Sequence, residues 1–90
     1  MKNIESNNLK PEYNIIDIRS RNLYLKGHIY NAQNIDMNLL LEIPDKYLKK
    51  DKTYYIYCTS GYKSKRCANM LNMLGYDIVN VIDGYDGYIK

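Results

Sequence analysis

The stretch Tyr54-Tyr55-Ile56-Tyr57-Cys58-Thr59-Ser60-Gly61-Tyr62-Lys63-Ser64 leaves the chain few architectures to choose from. Thr53 to Tyr57 is β-branched or aromatic throughout and reads as a buried strand. It ends abruptly on Cys58, turns through Gly61 and enters a helix. From Lys63 to Leu74, the residues Ser64, Cys67, Ala68, Leu71 and Leu74 recur at three- and four-residue spacing, so that face should pack on the sheet while Lys65, Asn69 and Asn72 face water. Gly75 is placed to stop the helix. Cys58 therefore lies at a helix mouth, where backbone N–H groups without intrahelical partners and the positive end of the helix dipole favour an anion. A free thiol has a pKa of about 8.5, and such a position beside lysine or arginine lowers it, which marks Cys58 as a candidate nucleophile.

The rest of the chain extends this strand-to-helix unit. Lys2 to Lys10 holds a short edge strand and a turn of helix, ended by Pro11. Tyr13 to Ile18 is a nearly continuous apolar run, the mark of a strand covered on both faces in a parallel sheet. Asp17 and Arg19 fall at its C-terminal end, where open α/β sheets place their sites. They read either as a hydrogen-bonded pair supporting the fold or as substrate contacts. Ser20 can cap a short helix through Lys26, stopped by Gly27. Ala32 to Ile35 is a short strand, Met37 to Leu41 a helical turn, Pro44 to Lys49 a second short helix, and Asp77 to Ile82 a final strand. The expected fold is a single α/β domain over residues 1–90, a mostly parallel sheet of about four or five strands with helices on both faces.

Composition narrows the function. With 46% hydrophobic and 26% charged residues the chain is ordinarily globular. Eleven tyrosines without Phe or Trp mean that the aromatic core carries hydroxyl groups needing partners. Nothing near Met1 resembles the apolar run of a leader, and no stretch is long enough to span a bilayer, so a cytoplasmic protein without membrane partners is expected. Two cysteines in a reducing compartment make no lasting disulfide, and with one histidine they fall short of a structural zinc site; neither metal nor cofactor is expected. A net charge of +3 is too small to imply nucleic acid. Its distribution matters more: no acidic residue lies between Asp51 and Asp77, whereas Lys52, Lys63, Lys65 and Arg66 do, so the field near Cys58 favours small anions.

Three separated segments carry a family resemblance. Cys58-Thr59-Ser60-Gly61-Tyr62-Lys63-Ser64 resembles the active-site loop of the rhodanese sulfurtransferases, C-x-x-G-x-R-S, with Lys63 where arginine is commonest. Ile16-Asp17-Ile18-Arg19 resembles the D-V-R strand end of that family. Tyr24, Gly27-His28-Ile29, Ala32 and Asn34-Ile35 match its E-Y-x-x-G-H-I-x-G-A-x-N-I segment in spacing. The similarity runs from about Ile15 to Tyr88. Leu23 replaces the usual glutamate, and Asn31 replaces a glycine but is the residue type that best tolerates a left-handed backbone. Gly84 matches the first glycine of a Gly-Gly turn, Tyr85 replaces the second, and Tyr88 lies where relatives often carry tryptophan.

The resemblance implies sulfur transfer. Cys58 would take the outer sulfur of thiosulfate or a persulfide and pass it to cyanide, a thiol or a thiol-bearing protein, in two half-reactions through a covalent intermediate. The loop Thr59, Ser60, Gly61, Tyr62, Lys63 and Ser64 would bind the sulfur and its donor, with Lys63 attracting the anion and Asp17, Arg19 and Arg66 in support. His28 takes a structural role in this comparison. Cys67, on the buried stripe, reads as a small core residue, with a resolving thiol as the sharper alternative. A cysteine phosphatase or arsenate reductase would need arginine at the sixth position after the cysteine; here that position is Ser64, and Lys63 comes one residue early without the planar fork of arginine. A non-catalytic module that binds a partner protein is the remaining alternative.

Overall fold

The computed structural model describes residues 2–90. Five parallel strands, β1 (Lys2–Ile4), β2 (Asn14–Asp17), β3 (Gln33–Asn34), β4 (Thr53–Tyr57) and β5 (Asp77–Val81), form one sheet in the order β1-β5-β4-β2-β3. Between and after them run helices α1 (Arg21–Lys26), α2 (Met37–Glu42), α3 (Pro44–Tyr47), α4 (Tyr62–Met73) and α5 (Gly84–Tyr88), with a 3₁₀ turn at Ser6–Asn8. The expected fold class is the one observed, and the sheet is parallel throughout.

Alternation along each strand divides the interior in two. Ile16, Ile18, Ile56, Cys58 and Ile78 point to the face covered by α2, α3 and α4, where Leu40, Leu48, Cys67, Ala68 and Leu71 meet them. Ile15, Tyr57 and Val81 point to the other face, closed by Ile29, Ala32, Tyr24 of α1 and Tyr85 of α5. From β2 the chain crosses over α1 to β3 on one side, and from β4 it crosses over α4 to β5 on the other. The strand order thus reverses between β2 and β4, and a crevice opens beyond their C-terminal ends at such a point. Arg19 and Cys58 both lie there.

The structure corrects several local expectations. Leu74 does not pack on the sheet: α4 ends at Met73 and Leu74 is 52% exposed. Gly75, at φ 98°, closes the helix as its N–H donates to Asn72 O and that of Tyr76 to Leu71 O, the double bond of a Schellman cap. Asn72 turns from water to β5, its amide donating to Ile78 O and accepting from Ile78 N. Helix α5 was not anticipated, because two glycines in five residues give it little intrinsic propensity. Packing supplies what propensity lacks: the N–H groups of Tyr85 and Asp86 donate to the carbonyls of Cys58 and Thr59 at 2.9 and 3.0 Å. Gly84, at φ 60°, lies so close to those carbonyls that a Cβ would meet Thr59 O at 2.5 Å. Asn31 takes the left-handed conformation expected of it, at φ 67°. None of the helices among the described residues is long and apolar enough to cross a membrane.

Candidate active site

Helix α4 begins without a side-chain cap, because its N-cap is Gly61, held at φ 94° and pressed against the carbonyl of Ile82. The sulfur of Cys58 takes the place of the missing cap. Its Sγ accepts the N–H of Gly61 at 3.2 Å and that of Ser64, third residue of the helix, at 3.3 Å. The Ser64 hydroxyl lies 3.4 Å from Sγ and donates at 2.6 Å to Oδ1 of Asn80. Asn80 on β5 is 1% exposed, and its Nδ2 donates to Gly61 O at 3.4 Å.

Burial alone would push the Cys58 thiol up. The Ser64 hydroxyl and the N–H groups of Ser64, Gly61 and Ser60 outweigh it, and the pKa falls below the ordinary thiol value. Cys67 moves the other way: burial, with the nearby charge of Cys58 adding to it, pushes its thiol up to about 12. One thiol is thus prepared for ionisation and the other kept neutral.

A cavity of about 550 Å³ opens over Cys58. Ile18, Arg19 and Ser20 following β2, Leu23 of α1, Asp36 to Asn38 at the start of α2, Thr59 and Ser60 of the loop, and Tyr62 and Lys63 at the start of α4 line it. Gly61 and Ser64 do not reach it; they hold the sulfur from beneath, at its buried side. Arg66 stands away as well, lining a separate hollow of about 130 Å³ shared with Lys63, Met37 and Cys67.

Arg19 forms part of the wall, but its guanidinium is committed. Nε and Nη2 donate to the Asp17 carboxylate, Nη2 also to Gly27 O at 2.6 Å, and the ring of Tyr85 lies 4.2 Å from its carbon. Tyr57 hydroxyl donates to the same carboxylate at 2.6 Å and accepts from Ile29 N. Burial would lower the Arg19 pKa, and Asp17 more than compensates, so its proton is held more firmly than usual. Burial and the Asp17 carboxylate raise the Tyr57 pKa far above its ordinary value. Tyr85, the departure from the Gly-Gly pattern, covers this ion pair and sets its hydroxyl against Gly27, so that a Cβ there would have to displace the tyrosine. His28 lies outside the cavity lining, its ring stacked on Tyr24 at 3.8 Å and its Nδ1 2.8 Å from Tyr24 O.

Asn80 and Asp36, with Leu23, Met37 and Asn38 of the cavity wall, are among the site residues that the sequence did not single out. Asn80 carried a signal: a polar side chain inside an apolar strand of a covered sheet must have a buried partner. Asp36 gave none, since it looks like any helix cap, its Oδ2 accepting from the N–H groups of Asn38 and Leu39.

These elements define a class: a parallel α/β domain presenting a helix-capping cysteine at the reversal point of its sheet. The chain belongs to the rhodanese-like domain family, which matches residues 1–90. It is 39% identical over 61 residues to a tRNA sulfurtransferase of Thermoplasma acidophilum, covering 68% of this chain but spanning only 12% of that protein. To thiosulfate sulfurtransferase GlpE of Coxiella burnetii it is 32% identical over 73 residues, 80% of this chain and 67% of that one. The crystal structure of a rhodanese-related protein from Thermoplasma volcanium superposes with a TM-score of 0.87 at 29% identity, covering 99% of this chain and 91% of that one.

Proposed function

We propose that the chain is a sulfurtransferase that carries a sulfane sulfur as a persulfide on Cys58. The observation that supports this most is the capping of α4 by Sγ, because N–H groups already aimed at sulfur stabilise the thiolate without a separate base. With thiosulfate, the Cys58 thiolate attacks the outer sulfur, the bond between the two sulfurs of the donor breaks, and sulfite leaves with its electron pair. The Cys58 persulfide then gives its outer sulfur to cyanide or a thiolate, small or protein-borne, restoring the Cys58 thiolate. No cofactor enters either step, and a reduced thiol acceptor is what the cytoplasm supplies.

Thr59, Ser60, Tyr62 and Lys63 line the donor's approach, and Lys63 brings a positive charge to it. Gly61 and Ser64 serve the sulfur itself, while Asp17 and Arg19 brace the wall. Phosphate chemistry fits less well: the N–H groups of Gly61 and Ser64 converge on one sulfur atom, and Arg19, the arginine that lines the cavity, has its fork on Asp17. The test is mass spectrometry after thiosulfate treatment. One added sulfur on the Cys58 peptide, absent from Cys58→Ser, is expected; absence of sulfur from wild-type protein given thiosulfate or an organic persulfide overturns the proposal.

A further inference from the structure

The hollow between α2 and α4 belongs to a different surface from the Cys58 cavity. Met37 and Leu41 of α2 line it on one side, Lys63, Arg66 and Met70 of α4 on the other, with buried Cys67 among its walls. Pockets for small organic ligands run from about 300 to 1,000 Å³. At about 130 Å³ this hollow is too small for one and suits a single side chain of a larger partner. Anchor side chains seated in such pockets carry most of the energy of a protein interface. The walls are also soft. Of the four methionines in the chain, Met37 and Met70 line the hollow, and Met73, 87% exposed, follows Met70 three residues on along α4. Flexible thioethers repack around the shape they meet, which is why methionine is favoured on binding surfaces.

Charge narrows the occupant. Lys63 and Arg66 both line the hollow, and no acidic residue does. Along the whole of α4, Tyr62–Met73, the charged residues are Lys63, Lys65 and Arg66, all of one sign. None of the three enters a salt bridge among the described residues, where the ion pairs join Lys2 to Asp77 and Arg19 to Asp17. A second copy of the chain docked here would set these cations against their own kind, since a two-fold interface pairs a patch with itself. An acidic partner satisfies them. Two helices packed side by side, as α2 and α4 are, leave a groove that receives the ridge of a third, and a helix bound this way is held through apolar anchors at i, i+3, i+4 and i+7.

We propose that the groove between α2 and α4 docks an acidic amphipathic helix of a partner protein, an apolar side chain of that helix entering the hollow between Met37, Leu41 and Met70 and its carboxylates meeting Lys63 and Arg66. Met37 and Lys63 also line the cavity over Cys58, so the partner sits beside the mouth of that cavity without filling it. Docking on this face and chemistry at Cys58 are separate properties, and either can fail without the other.

The probe is a fluorescein-labelled synthetic peptide of about 18 residues, long enough to hold a helix in water, with leucine at i, i+3, i+4 and i+7 and glutamate on the flanks of that stripe. A counterpart carries lysine for glutamate. Fluorescence anisotropy with the full chain gives a Kd for each. Expected is binding of the glutamate peptide about tenfold or more tighter than of the lysine peptide, weakening as salt rises, and weakened about tenfold by Met70→Glu, the scale of a hot-spot contact. Arg66→Glu should erase most of the preference between the peptides. Met70 and Arg66 are exposed on α4 and glutamate is a good helix former, so both variants fold. Sulfur loading of Cys58 from thiosulfate should be equal in wild-type and Met70→Glu protein. Equal affinity for the two peptides, binding of neither, or binding of the glutamate peptide that ignores Met70→Glu overturns the proposal. So does a Met70-dependent association with phosphatidylserine vesicles, or of the chain with itself, in place of peptide binding, which would assign this face to a lipid surface or a second copy. Wild-type protein that takes up no sulfur yet binds the glutamate peptide through Met70 overturns sulfur transfer and leaves the docking groove standing.

Discussion

Removing the Ser64 hydroxyl should raise the pKa of Cys58 and lower the stability of the fold together. The hydroxyl has one proton and three neighbours: Asn80 Oδ1 at 2.6 Å, Gly61 O at 3.2 Å and Cys58 Sγ at 3.4 Å. Asn80 cannot turn its amide round, because Nδ2 faces Gly61 O and an oxygen there would meet an oxygen. With a neutral thiol, S–H donates to Ser64 and Ser64 to Asn80. With the thiolate, the hydroxyl must turn to sulfur. A hydrogen bond to a charged group is worth about 1.5–3 kcal/mol, and one pKa unit is about 1.4 kcal/mol, so Ser64→Ala should raise the Cys58 pKa by about one unit, the low end being set by the 3.4 Å separation. Asn80 Oδ1 is left buried and unpaired, at a cost of about 1–3 kcal/mol. Iodoacetamide alkylation against pH reads the first effect and urea unfolding the second. Asn80→Val should do the opposite to the thiol, freeing the hydroxyl for sulfur and lowering the pKa, and should do nothing to it once Ser64 is alanine. An alkylation midpoint unmoved by Ser64→Ala, or an Asn80→Val effect that survives in the Ser64→Ala background, would refute the reasoning. The sign for stability follows: a thiol whose folded pKa is lowered stabilises the fold above the unfolded value of about 8.5, and that contribution is lost as pH falls through the folded pKa. Wild-type protein should therefore gain stability relative to Cys58→Ser as pH rises through that window.

Three other outcomes are expected. Cys58→Ser should abolish thiosulfate:cyanide transfer with the fold intact, while Cys67→Ala retains most activity; comparable loss from both would point to a two-thiol relay instead of the core role that its burial suggests. Lys63→Ala should raise KM for thiosulfate, with the difference from wild type shrinking as salt rises, since exposed charges are screened within about 8–10 Å at physiological ionic strength; unchanged kinetics would move the anion contact elsewhere. Arg19→Leu should destabilise by about 3–5 kcal/mol in urea unfolding, because the Asp17 carboxylate is left buried without its partner; a loss below about 1 kcal/mol would show that the pair is better solvated than its burial implies.

What was legible in the sequence was what is local. The run Thr53 to Tyr57, the glycine after Cys58 and the spacing of Cys67, Ala68 and Leu71 each impose a conformation through neighbours within a few residues, and β4, the turn and α4 follow from them. The same holds for Ser20, whose hydroxyl accepts from Leu23 N, and for Asn31. Asp36 was invisible as a site residue because its local role as a helix cap is complete without the cavity it lines. Asn72 misled for a related reason: its helical position relative to Lys65 and Asn69 suggested water, and only the proximity of Ile78 on β5 decided otherwise.

The least legible segment is also the one that sets the loop. Between Cys58 and Gly61 the backbone leaves the strand, and the carbonyls of Cys58 and Thr59 need partners outside the sheet. Helix α5 answers them with the N–H groups of Tyr85 and Asp86, and Gly84 permits the approach because no Cβ intervenes. Tyr85 then covers Arg19, whose guanidinium holds the far wall through Asp17 and Gly27. The direction of Sγ is thus tied to five residues with little helical propensity of their own, held by the loop carbonyls and, through the Asp83 carboxylate before them, by the N–H and hydroxyl of Ser6. Loop and α5 are joined by these bonds in the folded chain, where the N–H groups of Gly61 and Ser64 meet Sγ; the unfolded chain lacks that arrangement and its thiol behaves as an ordinary cysteine.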